Sequence, residues 1–165
     1  NGSRCRVLVG GLGMGFTLAA ALQRLQARAR VVVAELVPAV VTWNRGPLGE
    51  LAGHPLGDRR VTVRVNDVAE VLRGESQGFD AILLDVDNGP EGLTRKGNDW
   101  LYGRPGLAAA SAALRQGGVL AVWSAGPDRD FLARLRRMEF EVEEIRVRGR
   151  SPHGRGRYTI WIARR

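Results

Sequence analysis

One cysteine, one lysine, two histidines and two methionines stand in a chain of 165 residues. The lone Cys5 can close no internal disulfide, which excludes a disulfide-stapled scaffold and makes a reducing, cytoplasmic setting the expectation. His54 and His153 lie in Gly/Pro-rich segments without cysteine or carboxylate neighbours at ligand spacing, so both read as solvated loop residues and no metal is expected. No apolar run is long enough to cross a membrane. With Lys96 as the only lysine, no Lys-Ser/Thr pair exists to build a Walker phosphate loop. Aromatic residues are sparse, but apolar residues make up 44% of the chain, enough for residues 1–165 to bury the core of a single domain.

The formal charge is +8, and almost all of the excess is arginine. Clustered arginines can neutralise phosphates, and Arg146, Arg148, Arg150, Arg155 and Arg157 concentrate near the C-terminal end. An excess carried by arginine beside much Ala, Gly and Val is also what GC-rich coding sequence supplies. Nucleic acid is therefore not expected as a partner, and a solvated basic loop is the simpler reading.

What the chain has in abundance near its start is glycine. Val7-Leu-Val reads as a short apolar strand running into Gly10, Gly11, Gly13 and Gly15, with a small-residue helix behind them. Such a turn brings backbone close to a ligand and points the free N–H groups of a helix start at ligand oxygens. The dinucleotide fingerprint fails, because Phe16 or Leu18 occupies the place of its third small residue. A nucleoside without a pyrophosphate fits the loop better than NAD or ATP.

Three acidic strand ends follow. Val31-Val-Val-Ala-Glu35 reads as a buried strand ending in a carboxylate twenty residues past Gly15, placed either to accept from both ribose hydroxyls or simply to face solvent. A third strand, 60–65, delivers Asn66-Asp67 to a helix over 68–72, where Asp67 can cap the helix, accept from an adenine amino group, or do both. The fourth, Phe79-Asp-Ala-Ile-Leu-Leu-Asp85, runs into Val86-Asp87-Asn88-Gly89-Pro90-Glu91, and five acids between Asp80 and Asp99 suggest a mouth for a cationic substrate. Trp100 and Tyr102 come next, placed to meet a cation or an adenine or to pack the helix entrance; Tyr102 is kept as a candidate substrate contact.

Residues 105–116 read as an alanine-rich helix stopped by Gly117-Gly118, and 119–123 as a fifth strand. A helix over 127–138 opens near Asp128, and 140–147 with 158–163 form a closing antiparallel hairpin. Trp43, Trp123 and Trp161 fall in apolar patterns and are expected in the core.

Gly10-Gly-Leu-Gly-Met-Gly15, Glu35, Asn66-Asp67, Phe79 to Asp85 and Leu114-Arg-Gln-Gly-Gly-Val-Leu-Ala-Val-Trp-Ser124, in that order, resemble the spermidine synthase family over nearly the whole chain. The resemblance implies an α/β fold: a doubly wound, mostly parallel seven-stranded Rossmann-like sheet of the S-adenosylmethionine-dependent methyltransferase type, closed by the C-terminal hairpin. It implies transfer of an aminopropyl group from decarboxylated S-adenosylmethionine to a polyamine such as putrescine, without a metal, by a homodimer. Gly10, Gly11, Gly13 and Gly15 would frame the cofactor, Glu35 hold its ribose, and Asn66 and Asp67 flank its adenine. Asp85 would be the acid-base residue, with Asp87 or Asn88 helping to hold the amine chain. Gly13 stands where the family has an acidic residue, and the family's Asp-Ser/Thr-Ser/Thr-Asp-Pro run reads Asp85-Val-Asp-Asn-Gly-Pro90 here. The family's amino-terminal β-rich region has no counterpart before the first strand. A methyltransferase using S-adenosylmethionine itself, and a cofactor-binding protein without catalysis, remain open readings.

Overall fold

A computed structural model describes residues 4–86, 89–90, 98–148 and 157–165. The strands β1 (Arg6–Gly10), β2 (Arg30–Glu35), β3 (Val61–Val65), β4 (Phe79–Leu84), β5 (Leu114–Ser124), β6 (Glu141–Arg148) and β7 (Arg157–Arg164) form one sheet in the order β3-β2-β1-β4-β5-β7-β6. The first five run parallel, and β7 lies antiparallel between β5 and β6. The helices are α1 (Phe16–Arg24), α2 (Pro38–Arg45), α3 (Val68–Arg73), α4 (Asn98–Tyr102), α5 (Arg104–Ala113) and α6 (Arg129–Arg137).

The apolar runs of β1 and β2 are buried on both faces, as parallel strands under helices must be. Alternate residues therefore serve two cores. Val7, Val9, Val31 and Val33 pack with Leu18 and Leu22 of α1 and Val41 of α2. Leu8, Val32, Ala34, Ile82 and Leu84 pack with α3, α5 and α6, among them Leu72, Leu107 and Phe131. Leu8 is fully buried, and its truncation to alanine would cost roughly 2–5 kcal/mol. Cys5 sits half-buried just ahead of β1, where burial first and the nearby Asp80 carboxylate second push its thiol pKa up.

The chain winds outward from β1 through β2 to β3, then crosses back to lay β4 on the other side of β1. Parallel sheets open a crevice at such a reversal, beyond the carboxyl ends of the two flanking strands. Here those ends carry Gly10 and Asp85, joined by a 2.9 Å bond from the Asp85 N–H to the Gly10 carbonyl.

Two sequence expectations need correction. The helix expected over 105–116 ends at Ala113, and β5 begins at Leu114 instead of Val119. Leu114 is drawn into the sheet beside Phe79, Arg115 pairs with Asp80, and a register shift before Ala81 absorbs the intervening residues. Gly117 adopts φ +74° within that irregularity, so the glycines shape a bulge and do not stop the helix. Trp43, expected in the core, is 52% exposed on α2, whereas Trp161 is fully buried. Position 43 faces away from the stripe formed by Val41 and Asn44.

Candidate active site

The crevice is built from backbone first. Gly11 follows β1 with φ +84°, and a Cβ there would stand 2.5 Å from the Asp85 carbonyl oxygen. Only glycine lets the two strand ends come that close. Gly15, at φ +81°, caps α1, and a Cβ on it would meet the Asn44 Oδ1 at 2.9 Å. Gly13 differs: it is exposed, its carbonyl accepts from Asn44 Nδ2 at 2.8 Å, and nothing lies within 4 Å of where its Cβ would be. Asn44 is 1% exposed and also donates to the Val40 carbonyl at 2.9 Å, so α2 clamps the glycine turn from beneath.

Glu35 ends β2 with its carboxylate buried. Its Oε2 accepts from the Leu12 N–H at 2.9 Å and its Oε1 from the Val37 N–H at 2.8 Å. The carboxylate ties the glycine turn to the turn after β2, and each oxygen keeps a further lone pair for a ligand hydroxyl. Asn66 N–H donates to the Glu35 carbonyl at 3.0 Å, which sets Asn66 and Asp67 beside that group. Asp67 caps α3 by accepting from the Ala69 N–H at 2.8 Å; the side chain is exposed, so capping leaves lone pairs facing solvent.

Asp85 closes the arrangement. Its Oδ2 accepts a 2.5 Å hydrogen bond from the hydroxyl of Thr17, in the first turn of α1. Asp87, Asn88 and residues 91–97 lie outside the described residues, as does His153. Asp80, counted with the acidic mouth in the sequence, belongs at the other end of β4, where it accepts from the Arg6 N–H and from Arg115, each at 2.7 Å. Tyr102 is 2% exposed, meets Phe131 edge-on and donates to the Val86 carbonyl at 3.1 Å, so it supports the loop after β4 from within the core. The ring of Trp100 is covered by the Arg73 guanidinium, 3.8 Å from its centroid.

The carboxyl end of the sheet thus presents the carboxylates of Glu35, Asp67 and Asp85 around a glycine turn, with exposed apolar Met14, Phe16, Leu36, Val37 and Val65 beside them. An apolar rim with a few convergent polar groups suits a nucleoside, and the negative charge suits a cation. Thr17 and Asn44 are the contributors that sequence reasoning missed. Asn44 was signalled by a polar residue on the inward stripe of an amphipathic helix, three positions after Val41. Thr17 was signalled only by its place in the first turn after the last loop glycine.

The sheet order, with its reversal at β1 and the antiparallel β7 inserted beside β5, defines an α/β protein of the S-adenosylmethionine-dependent methyltransferase fold. Within that class, residues 3–130 match the family model of the spermine/spermidine synthase domain, and the chain belongs to that family. The polyamine aminopropyltransferases of Mycobacterium tuberculosis (strain CDC 1551 / Oshkosh) and Mycobacterium bovis are each 31% identical over 130 residues, covering 77% of this chain and 24% of theirs. The chain thus spans about a quarter of the length of these curated relatives. Among solved structures, spermidine synthase from Thermotoga maritima superposes with a TM-score of 0.76 at 21% identity, over 98% of this chain and 54% of that one. Spermidine synthase in complex with the transition-state analogue AdoDATO gives 0.75 at 21% identity, over 98% and 53%. The CurJ carbon methyltransferase gives 0.68 at 15% identity, over 98% and 49%. At these identities the structures share the fold.

Proposed function

We propose that residues 1–165 form one cofactor-binding catalytic domain that moves an aminopropyl group from decarboxylated S-adenosylmethionine to an amine of a polyamine such as putrescine. The observation that carries the reading is the Asp85 carboxylate, held by Thr17 directly above the glycine turn. The residues fit the nucleoside: Gly11 and Gly15 let the turn fold tightly against Asp85 and Asn44, the space beside Gly13 is open, and Glu35 has free lone pairs for ribose hydroxyls. Leu36 and Val37 offer an apolar wall to adenine, with Asn66 and Asp67 at its polar edge.

When bound, the cofactor supplies a sulfonium leaving group. An amine with a pKa near that of lysine, about 10.4, is mostly protonated at neutral pH and has to lose a proton to attack. Asp85 orients the amine and accepts that proton as the nitrogen–carbon bond forms. The bound cofactor would accept the displaced electron pair on its sulfur and leave as a neutral thioether. Asp87 or Asn88 helps to hold the amine chain in this reading, and Tyr102 acts from behind by fixing Val86. The family resemblance supports a homodimer, and the single cysteine a cytoplasmic setting.

A second reading, methyl transfer from S-adenosylmethionine itself, is favoured by one observation. The turn carries no carboxylate at Gly13, and the space there is open, so the carboxylate of the intact cofactor would meet no like charge. Calorimetric titration with the two cofactors side by side tests the choice. Preference for the decarboxylated form supports aminopropyl transfer; equal or tighter binding of S-adenosylmethionine favours methyl transfer.

A further inference from the structure

The arginines that stand out in the sequence lie near the C-terminal end, but the fold gathers a different set. Arg4 ahead of β1, Arg28 and Arg30 at the entry to β2, and Arg59 and Arg60 at the entry to β3 line one open concavity of about 780 Å³. Strand register explains the gathering: Arg6 is level with Arg30, and Val31 with Val61, so the amino ends of three neighbouring strands start side by side. Parallel strands lie only about 4.8 Å apart. This end of the sheet is the one opposite Glu35, Asp67 and Asp85.

Among the described residues, one of the five forms an ion pair. Arg60 pairs with Asp58 at 2.7 Å and donates to the Leu22 and Leu25 carbonyls, so it closes the end of α1. The side chains of Arg4, Arg28, Arg30 and Arg59 are exposed and form no ion pair or hydrogen bond with any described residue. By contrast Arg6, Arg64, Arg73, Arg115 and Arg146 each face a carboxylate. Four guanidinium groups without an ion pair among the described residues, around one hollow that only Asp58 borders with a carboxylate, repel one another, and an anion spanning them removes that repulsion.

We propose that this arginine-lined concavity binds the phosphodiester backbone of duplex nucleic acid without reading its sequence. Guanidinium forks match phosphate geometry and stay charged at all relevant pH. The charges are spread over three strand starts and the hollow continues past Asp58 along α1, which suits an extended polyanion better than a single phosphate. The other lining residues are Ala27, Ala29 and Thr62, so no aromatic ring is present to stack the splayed bases of a single strand. With the guanidinium groups engaged on phosphates and only alanines and a threonine between them, backbone contact is the mode of binding proposed.

The test is fluorescence anisotropy of the whole chain with a labelled 20-base-pair DNA duplex of mixed sequence, from 50 to 200 mM salt. Engaging four phosphates predicts a slope of log K against log salt of roughly −3 to −4. The triple variant Arg28→Ala/Arg30→Ala/Arg59→Ala should bind at least about tenfold more weakly and lose about 2 to 3 of that slope. A second triple variant, Arg129→Ala/Arg136→Ala/Arg148→Ala, has the same net charge and alters exposed arginines elsewhere; it should stay within about threefold of the parent. Circular dichroism melting confirms that both variants are folded, and Arg59→Glu against Arg136→Glu repeats the comparison with single changes. Equal losses in the two triples, or no binding by the parent, would overturn the proposal. Tighter binding of the single strand, or stronger binding of a ten-residue oligoglutamate than of the duplex, would overturn it in favour of another partner.

Discussion

The Thr17 hydroxyl donates a 2.5 Å hydrogen bond to the Asp85 carboxylate, linking the first turn of α1 to the end of β4 across the glycine turn. That length is at the short, charge-assisted end of O–H to carboxylate bonds. One oxygen of Asp85 is thereby held, and in the proposed reaction the other faces the amine.

Replacing Thr17 with valine keeps the volume and removes the donor. Turnover is expected to fall about 10- to 100-fold, the worth of a hydrogen bond to a charged group expressed in a transition state. Thr17→Ser should stay within about threefold of the parent, because its hydroxyl can rebuild the bond. Steady-state rates with calorimetric cofactor affinities check this, and equal losses for valine and serine would contradict it.

The glycines of the turn should separate by geometry. Gly11→Ala forces a Cβ against the Asp85 carbonyl at a φ of +84°, and should cost about 3 kcal/mol or more. Gly13→Ala meets open space at φ +50°, and should cost about 1 kcal/mol. Urea denaturation of the two variants measures the difference.

Glu35 braces the glycine turn, and one substitution tests that together with the ribose contact proposed for it. In Glu35→Gln one of the two backbone N–H groups, from Leu12 or Val37, faces an amide nitrogen in place of an oxygen. A loss of roughly 1–3 kcal/mol of stability is expected, with cofactor affinity about tenfold weaker from the lost ribose contact. Stability unchanged in a melting experiment would show that the carboxylate does not brace the turn.

Asp58 gives a pH signature away from the site. Its side-chain hydrogen bond from Arg60, with the Arg60 backbone N–H second, holds its pKa down at about 2, against about 3.9 for an unfolded chain. A depressed carboxylate stabilises the fold above its unfolded pKa and loses that contribution as pH falls through the folded value. The melting difference between the parent and Asp58→Asn should therefore be constant from neutral pH down to about 4 and shrink between about 4 and 2. A difference that grows on acidification would contradict the sign.

Much of this architecture was legible in the sequence because local patterns and tertiary demands agreed. The apolar runs at 7–9 and 31–34 can only be buried strands, each ends at a glycine or a carboxylate, and the observed strands place those ends in one row. Legibility stopped where partners are distant in sequence. Nothing local shows that Arg115 reaches Asp80, which is why the start of β5 was set five residues late. The basic hollow draws on positions 4 to 60 with no run longer than the Arg59-Arg60 pair among them, so strand register is what gathers it. Asn44 and Thr17 are ordinary helix residues until the fold lays them against Gly13 and Asp85.

The central claim is tested most directly by Asp85→Asn, assayed by mass spectrometry for an aminopropylated product from putrescine and decarboxylated S-adenosylmethionine, with cofactor affinity measured on the same sample. The account predicts transfer by the parent, loss of at least about a hundredfold in the variant, and cofactor affinity little changed. A variant that transfers at the parental rate, or a parent that binds the cofactor yet forms no such product, would contradict it.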